Sequence, residues 1–133
     1  MNKAQISIEY IVILAFVVLV ITLLLSSAFF YGGNIKDRLK MVQLDNFANK
    51  IITSAEAVDY QGTPSKATIS AYLPEGVSNL TFFNRGLYIE AQLTSGIEKK
   101  EYSSNVLLIG NISVNPGVKK ITIQATNLGV IIS

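Results

Sequence analysis

A long apolar stretch near the start of the chain constrains its fold more than any other feature. It covers residues 5–31, and between Tyr10 and Ile35 no side chain is charged. As a helix rising about 1.5 Å per residue, Tyr10 to Tyr31 would span about 33 Å, enough to cross the hydrocarbon core of a bilayer. The stretch therefore predicts a hydrophobic helix that is inserted in a membrane at some stage.

The rest of the chain has the composition of a small globular domain. Of the 133 residues, 50% are hydrophobic and 15% are charged, and the first quarter supplies most of the excess apolarity. The remainder, roughly 100 residues, suffices for one modest core. A net charge of +2, with no basic cluster larger than a Lys-Lys pair, argues against nucleic acid as a partner. The absence of cysteine and histidine excludes disulfides and any thiolate or imidazole chemistry.

Three interpretations of residues 1–31 compete, and the first two involve ordinary export or anchoring. A secretory signal would be cut after Ala28, but Glu9 then lies where positive charge is expected, and the new terminus at Phe29 would be apolar. A permanent anchor needs no cut, but basic residues follow the apolar run and would keep the C-terminal side in the cytoplasm. These residues are Lys36, Arg38 and Lys40.

In the third interpretation the cut falls between Ala4 and Gln5, so the apolar segment stays on the mature chain. Residues 4–9, AQISIE, favour this interpretation. They resemble the class III signal peptide of archaeal type IV-like pilins, whose pattern is Q-x-S-x-E-x-x-x-L. Gln5, Ser7 and Glu9 match it, and an isoleucine stands at the final leucine position. Archaeal flagellins share the export route, but the acidic Glu9 favours a pilin.

This resemblance implies a fold, a function and a set of partners. The fold would be α+β, a long hydrophobic N-terminal helix followed by a β-sheet head. A prepilin-type peptidase would remove residues 1–4, and an assembly ATPase with a membrane platform would add the subunit to a polymer of identical subunits. The precursor would reside in the cell membrane and the product would be an extracellular adhesion-type filament. Such a subunit needs no cofactor and is not an enzyme.

Glu9 places a carboxylate inside an apolar segment. After the cut, this carboxylate and the α-amino group of Gln5 would be the only charges in about the first thirty mature residues, separated by roughly 6 Å along a helix. A carboxylate costs about 2.5–3.5 kcal/mol at the centre of a membrane helix and less near its end. Glu9 could be stabilised by its own helix N-terminus. The resemblance implies the alternative, in which Glu9 pairs with the Gln5 amine of a neighbouring subunit and sets the assembly register.

The helix is expected to extend over residues 5–59, with a bend at 32–34, where two glycines weaken it. Beyond the bend, apolar residues occupy two opposite faces at helical spacing. The short stripe contains Ile35, Leu39 and Val42, and the long stripe contains Leu44, Phe47, Ala48, Ile51, Ala55 and Val58. The long stripe predicts contact with the protein's own sheet. The short stripe predicts contact either with neighbouring helices or with a loop of the same domain.

Residues 66–133 predict the β head, because apolar and polar residues alternate between turn sequences. We expect an antiparallel meander of about five or six strands packed on the C-terminal half of the helix. Strands are predicted near 67–73, 78–83, 87–93, 97–103, 106–114 and 121–125, with a last apolar segment at 128–132. The turn sequences are Pro74-Glu75-Gly76, Asn84-Arg85-Gly86, Thr94-Ser95-Gly96 and Asn115-Pro116-Gly117.

The remaining motifs are two glycosylation sequons. Asn79-Leu80-Thr81 and Asn111-Ile112-Ser113 predict N-linked glycans at Asn79 and Asn111 of an exported chain. The carboxylates are scattered, and the sequence contains no phosphate-binding, metal-binding or triad motif. Two other functions stay open: a secreted or membrane-anchored β-domain that binds a ligand without forming filaments, and a minor pilin.

Overall fold

The computed structural model describes the backbone of residues 2–133 and the side chains from Ser7 onwards. A helix is followed by seven strands in this part of the chain. The helix, α1, is Asn2–Gln61, and the strands are β1 (Lys66–Leu73), β2 (Val77–Phe83), β3 (Gly86–Leu93), β4 (Gly96–Ser103), β5 (Leu108–Gly110), β6 (Gly117–Thr126) and β7 (Gly129–Ile132). A long apolar N-terminal helix with β-sheets packed on its C-terminal part confirms the predicted α+β fold.

The chain divides into two compact units, residues 1–36 and residues 37–133. The first unit is the N-terminal part of α1. The second unit, called the head below, contains the rest of α1 together with all the described strands. The predicted strand region therefore forms one unit with the C-terminal part of the helix.

In the N-terminal unit, α1 runs without interruption through residues 32–34, where the sequence predicts a bend. A Cβ added at Gly32 or Gly33 would meet no atom within 4 Å. Since these positions lie in open space, no neighbour in the described chain requires a glycine there. The helix thus continues despite the cost of about 1 kcal/mol that each glycine imposes relative to alanine.

In the head, α1 is amphipathic as predicted. The residues of the long stripe are buried, with Phe47 at 1% and Ile51 at 0% exposure. The helix ends where Gly62 adopts a φ of 76°, a left-handed conformation that glycine allows without strain. There the Gly62 amide donates to the Asp59 carbonyl at 2.9 Å. The end of α1 thus lies within three residues of the predicted position.

The strands form two sheets instead of the single meander that the sequence predicts. One sheet has four strands in the order β1-β6-β7-β5, and the other has three in the order β2-β3-β4. All neighbouring pairs are antiparallel except β5 and β7, which are parallel. A backbone hydrogen bond from Leu108 N in β5 to Asn84 O in the β2–β3 turn, at 2.8 Å, joins the two sheet regions.

The core of the head lies between the long stripe of α1 and the inner faces of both sheets. Alternate residues of the strands point into it, as the period-two pattern predicts. The largest side chains that are fully buried are Phe47, Ile51, Leu73, Leu87, Ile89, Ile121, Ile123, Val130 and Ile132. Only Ser104 is a buried polar residue among the described positions. The head thus has one continuous apolar core, and its helix is part of that core.

Candidate functional site

The first candidate site is the apolar surface of α1 in the N-terminal unit. Every described side chain from Ser7 to Gly32 is exposed, including large ones such as Phe29 at 83% and Phe30 at 82%. An 18-residue window of this helix has a mean hydropathy of 3.0, and none of it is buried. By length and composition this helix could cross a membrane.

A shallow groove marks the helix surface within this unit. Its volume is about 540 Å³, and small side chains lie among larger ones. It is lined by Ile11, Leu14, Ala15, Val18, Leu19, Thr22 and Leu23. The Thr22 hydroxyl donates to the Val18 carbonyl at 2.8 Å, so the polar group is satisfied within the helix. The surface that lines the groove is therefore mainly apolar.

Glu9 is exposed on the same helix and forms no ion pair with another described residue. The side chains of Ala4 and Gln5 lie outside the described residues. The predicted cleavage between them, and the pairing of Glu9 with the Gln5 amine, therefore stay predictions.

The second candidate site is the outer face of α1 in the head. Leu39 is 57% exposed and Val42 is 55% exposed, while on the opposite side of the helix Leu44 is 2% exposed. Ile35, the remaining member of the short stripe, is 57% exposed. Within the head, no loop covers Leu39 or Val42, so the alternative of a loop contact is wrong for these two residues.

On one flank of this outer face, Asp45 ties α1 to β4. The Asp45 carboxylate accepts hydrogen bonds from Lys100 Nζ at 2.5 Å and from the Tyr102 hydroxyl at 2.6 Å. Partial burial raises the pKa of Asp45, but the two hydrogen bonds and the charge of Lys100 outweigh it, so this pKa lies below its ordinary value of 3.8. Burial and the bond to Asp45 raise the pKa of Tyr102.

Other polar contacts hold the helix to the strands and loops. Asp37 accepts from the Thr94 amide with both carboxylate oxygens, each at 3.1 Å, and from the Thr94 hydroxyl. Glu56 accepts from the Asn105 amide at 2.9 Å. On the opposite flank from Asp45, Lys50 Nζ donates to the carbonyl of a β1 residue, Ser70, at 2.6 Å. The helix is thus fastened on both flanks by its own charged residues.

The sequence did not predict these contacts, because their partners are far away along the chain. Asp45 and Lys100 are 55 residues apart, and Glu56 and Asn105 are 49 apart. One local sign was available. Asp45 and Glu56 are eleven residues apart, which is about three turns, so they share a flank of the helix next to the buried stripe.

The outer face of the three-stranded sheet carries a second polar cluster. Lys99 and Glu90, opposite each other in β4 and β3, form an ion pair at 3.2 Å. The Tyr88 hydroxyl donates to the same carboxylate at 2.6 Å. Hydrogen bonds from Tyr88 and Lys99 lower the pKa of Glu90. Lys99 therefore pairs across the two strands, whereas Lys100 pairs with Asp45 of the helix.

The predicted glycosylation sites are both on the surface. Asn79 is exposed in β2, an edge strand, beside a shift in the β2–β3 register. Its Oδ1 accepts from the Thr81 hydroxyl at 3.1 Å, so the two polar members of this sequon are in contact. Asn111 is exposed after β5, and the hydroxyl of Ser113 in its sequon accepts from Lys119 Nζ at 2.7 Å. Both asparagine side chains are therefore accessible.

Comparison of the chain with protein-family models, curated proteins and solved structures gave no match. Within the described residues, no group of three or more His, Cys, Asp or Glu side chains is placed to hold a metal ion. Within the described residues, the features that bear on function are the apolar surface of α1 and the charges of the head.

Proposed function

We propose that the chain is a structural subunit of an archaeal type IV-like pilus, held in the cell membrane before assembly and polymerised through α1. The observation that supports this proposal is the exposed apolar surface of α1, from Ile8 to Val42. Exposure of apolar surface to water costs about 25 cal/mol per Å². A surface of this extent therefore needs a cover of lipid or of protein.

Lipid can cover only the first part of this surface. A bilayer core accommodates about 20 helical residues, and Tyr10–Tyr31 already supplies them. Leu39 and Val42 come later in the chain, among the basic residues Lys36, Arg38 and Lys40, which favour water or headgroups. A simple anchor leaves these two side chains exposed, whereas packing against identical helices covers them as well. This difference favours assembly over anchoring alone.

In the proposed filament the helices form the core and the heads form the outer wall. Glu9 of one subunit pairs with the Gln5 amine of its neighbour, which disfavours registers that leave a buried carboxylate unpaired. The prepilin-type peptidase, the assembly ATPase and its membrane platform follow from the resemblance of the N-terminal motif. The extracellular filament is the proposed location of the mature chain.

The N-terminal residue of the mature protein tests this proposal against its alternatives. Sequencing of protein isolated from the cell surface is expected to begin at Gln5. A start at Phe29 would instead support a secreted binding module, and a start at Met1 a permanent anchor. A Gln5 start with no filaments on the cells by electron microscopy would support a minor pilin.

The role of Glu9 is tested by Glu9→Val, with Thr22→Val as the matched control. Both variants replace a polar side chain of the apolar segment with valine, but only the first removes a charge. Glu9→Val is expected to be cleaved normally and to yield fewer filaments, because the register constraint is lost. Normal filament number with normal cleavage would refute the register role.

We also propose that Asn79 and Asn111 carry glycans in the filament. Their exposure supports this, as does the position of Asn79 on an edge strand, where a glycan would block pairing with another chain. Peptide mass spectrometry of native filaments is expected to find both modified, and Asn79→Gln to remove one glycan mass. Two unmodified peptides would contradict the proposal.

A further inference from the structure

The charges of the head are segregated between its two sheets. The strands of the four-stranded sheet contain three lysines and no aspartate or glutamate; these lysines are Lys66, Lys119 and Lys120. The strands of the three-stranded sheet contain all the strand carboxylates of the described chain, which are Glu90, Glu98 and Glu101. With Lys99 and Lys100 included, the strand charges sum to +3 (three lysines) in the four-stranded sheet and to −1 (three carboxylates, two lysines) in the three-stranded sheet; we call these the basic side and the acidic side of the head.

On the basic side, three lysines lie on or beside the edge strand β1, one in α1, one in β1 and one in the neighbouring strand β6. Lys50 reaches this edge from α1 and donates to the Ser70 carbonyl at 2.6 Å. Lys120 is the register partner of Ser70, and Lys66 lies four residues before Ser70 in β1. Lys50, Lys66 and Lys120 are exposed and form no ion pair within the described chain. We call these three residues the basic margin.

On the acidic side, the lysines of β4 are already neutralised. Lys99 pairs with Glu90, and Lys100 pairs with Asp45. Glu98 and Glu101 are exposed and pair with no cation among the described residues. Because side chains alternate along a strand, Glu98 lies on the face of β4 that carries Lys100 and Tyr102, and Glu101 lies on the face that carries Lys99; both border the free edge of β4, and we call them the acidic margin. The local sequence, EKKE, is neutral, but both of its lysines are already paired with other carboxylates, so the charge left unpaired at this edge is negative.

The two margins border the same open face of the helix. The contact of Lys50 with β1 lies on one flank of α1, and the contact of Asp45 with β4 lies on the other. Between these flanks the helix surface is exposed, at Asn46, Asn49 and Thr53. Both β1 and β4 are edge strands of their sheets. Copies whose helices face a common core would therefore bring the basic margin of one head next to the acidic margin of the next.

We propose that the head binds a second copy of itself through these margins, basic margin to acidic margin. The inference rests on the proposed filament and names the surface by which its outer wall is held together. The contact is heterologous, joining two different patches, so it propagates from copy to copy and does not close into a dimer. It is made by side chains, because Lys50 already occupies the Ser70 carbonyl at the β1 edge.

Charge reversal on one margin tests this contact. The variants are Lys66→Glu with Lys120→Glu on the basic margin, and Glu98→Lys with Glu101→Lys on the acidic margin. Each double variant is expected to reduce assembled filament about fivefold or more, since one exposed ion pair is worth up to about a fivefold factor and two are reversed. All four substitutions in one chain restore complementarity and should recover most of the filament.

The matched control reverses charges away from both margins. Glu75→Lys and Arg85→Glu change exposed residues in the β1–β2 and β2–β3 connections, and filament yield is expected to stay unchanged. Equal losses in the control and the margin variants, or no recovery in the quadruple variant, would overturn the inference.

Cross-linking gives a second, independent readout. The chain has no cysteine, so Thr68→Cys in β1 and Ser103→Cys in β4 are suitable reporters, because both positions are exposed and neither substitution removes a charge of the two margins. Filaments that carry both substitutions in each copy should form disulfide-linked ladders, whereas either substitution alone should give no linked species. Intact filaments without ladders would refute the head contact and leave the proposed filament standing. A wild-type chain that starts at Gln5 but forms no filament would refute both proposals.

Discussion

At the scale of single residues, Asp45 is the side chain whose role is least visible in the sequence. Its carboxylate joins α1 to β4 through Lys100 and Tyr102. Because all three groups are partly exposed, solvent screens part of the interaction. The sequence places Asp45 next to a buried stripe but contains no local sign of a partner 55 residues away.

We predict that Asp45→Asn lowers the free energy of unfolding of the head by about 1–2 kcal/mol, because two hydrogen bonds to a charged acceptor are weakened. The matched control is Asp59→Asn, since the Asp59 side chain makes no hydrogen bond within the described chain. The control should change stability by less than about 0.5 kcal/mol. Urea unfolding of the full chain in detergent, followed by tyrosine fluorescence, measures both. Equal effects of the two substitutions would contradict the assigned role.

The same contact predicts a pH dependence. The folded-state pKa of Asp45 lies below its ordinary value of 3.8, so its stabilisation is complete above that pH and is lost as the pH falls further. The folded-state pKa of Tyr102 lies above its ordinary value of 10.0, so its stabilisation is lost as the pH rises well above 10. The stability difference between wild type and Asp45→Asn should therefore be constant near neutrality and shrink below about pH 4. A difference that grows on acidification would refute this assignment.

At the scale of elements, the sequence predicted what local periodicity determines. The buried stripe of α1 and most of the strands follow from repeats of 3.6 and two residues, and each predicted turn sequence lies between strands. The strand order could not be predicted in this way, because the pairing of β6 with β1 and of β7 with β5 depends on contacts that are distant in the chain. The apolar segment 106–114 shows this limit. The sequence predicts a strand over the whole segment, but only Leu108–Gly110 forms a strand, which pairs in parallel with β7.

The two faces of α1 predict opposite responses to substitution. Ile51→Ala removes a fully buried side chain and should destabilise the head by about 2–4 kcal/mol. Leu39→Gln combined with Val42→Gln changes two exposed residues and should leave head stability within about 0.5 kcal/mol, while reducing filament yield. Thermal unfolding of the detergent-solubilised chain and electron microscopy of cells separate the two effects. A large loss of head stability in the Leu39/Val42 variant would contradict the assembly role of this face.

At the scale of the whole molecule, the free sheet edges of the head are unsuited to pairing with other strands. Unpaired edges promote aggregation unless charges, irregularities or short length interrupt them. Here β4 carries charged side chains, β2 has a register shift beside Asn79, β5 is three residues long, and Lys50 caps a carbonyl of β1. In the proposed filament, ordered association is thereby left to the apolar helix and to the proposed contact between the two margins.

These two surfaces differ in physical nature, so the filament should respond differently to detergent and to salt. Apolar helix packing is not screened by salt, whereas exposed ion pairs are, since the Debye length falls from about 10 Å at 0.1 M to about 3 Å at 1 M. We predict that 1 M NaCl leaves filaments intact but reduces disulfide formation between Thr68→Cys and Ser103→Cys. Detergent should dissolve the filaments into monomers, because micelles replace neighbouring helices around α1. Light scattering and non-reducing electrophoresis measure the two responses. Filaments that dissolve in salt and resist detergent would show that the heads, and not the helices, hold the polymer together.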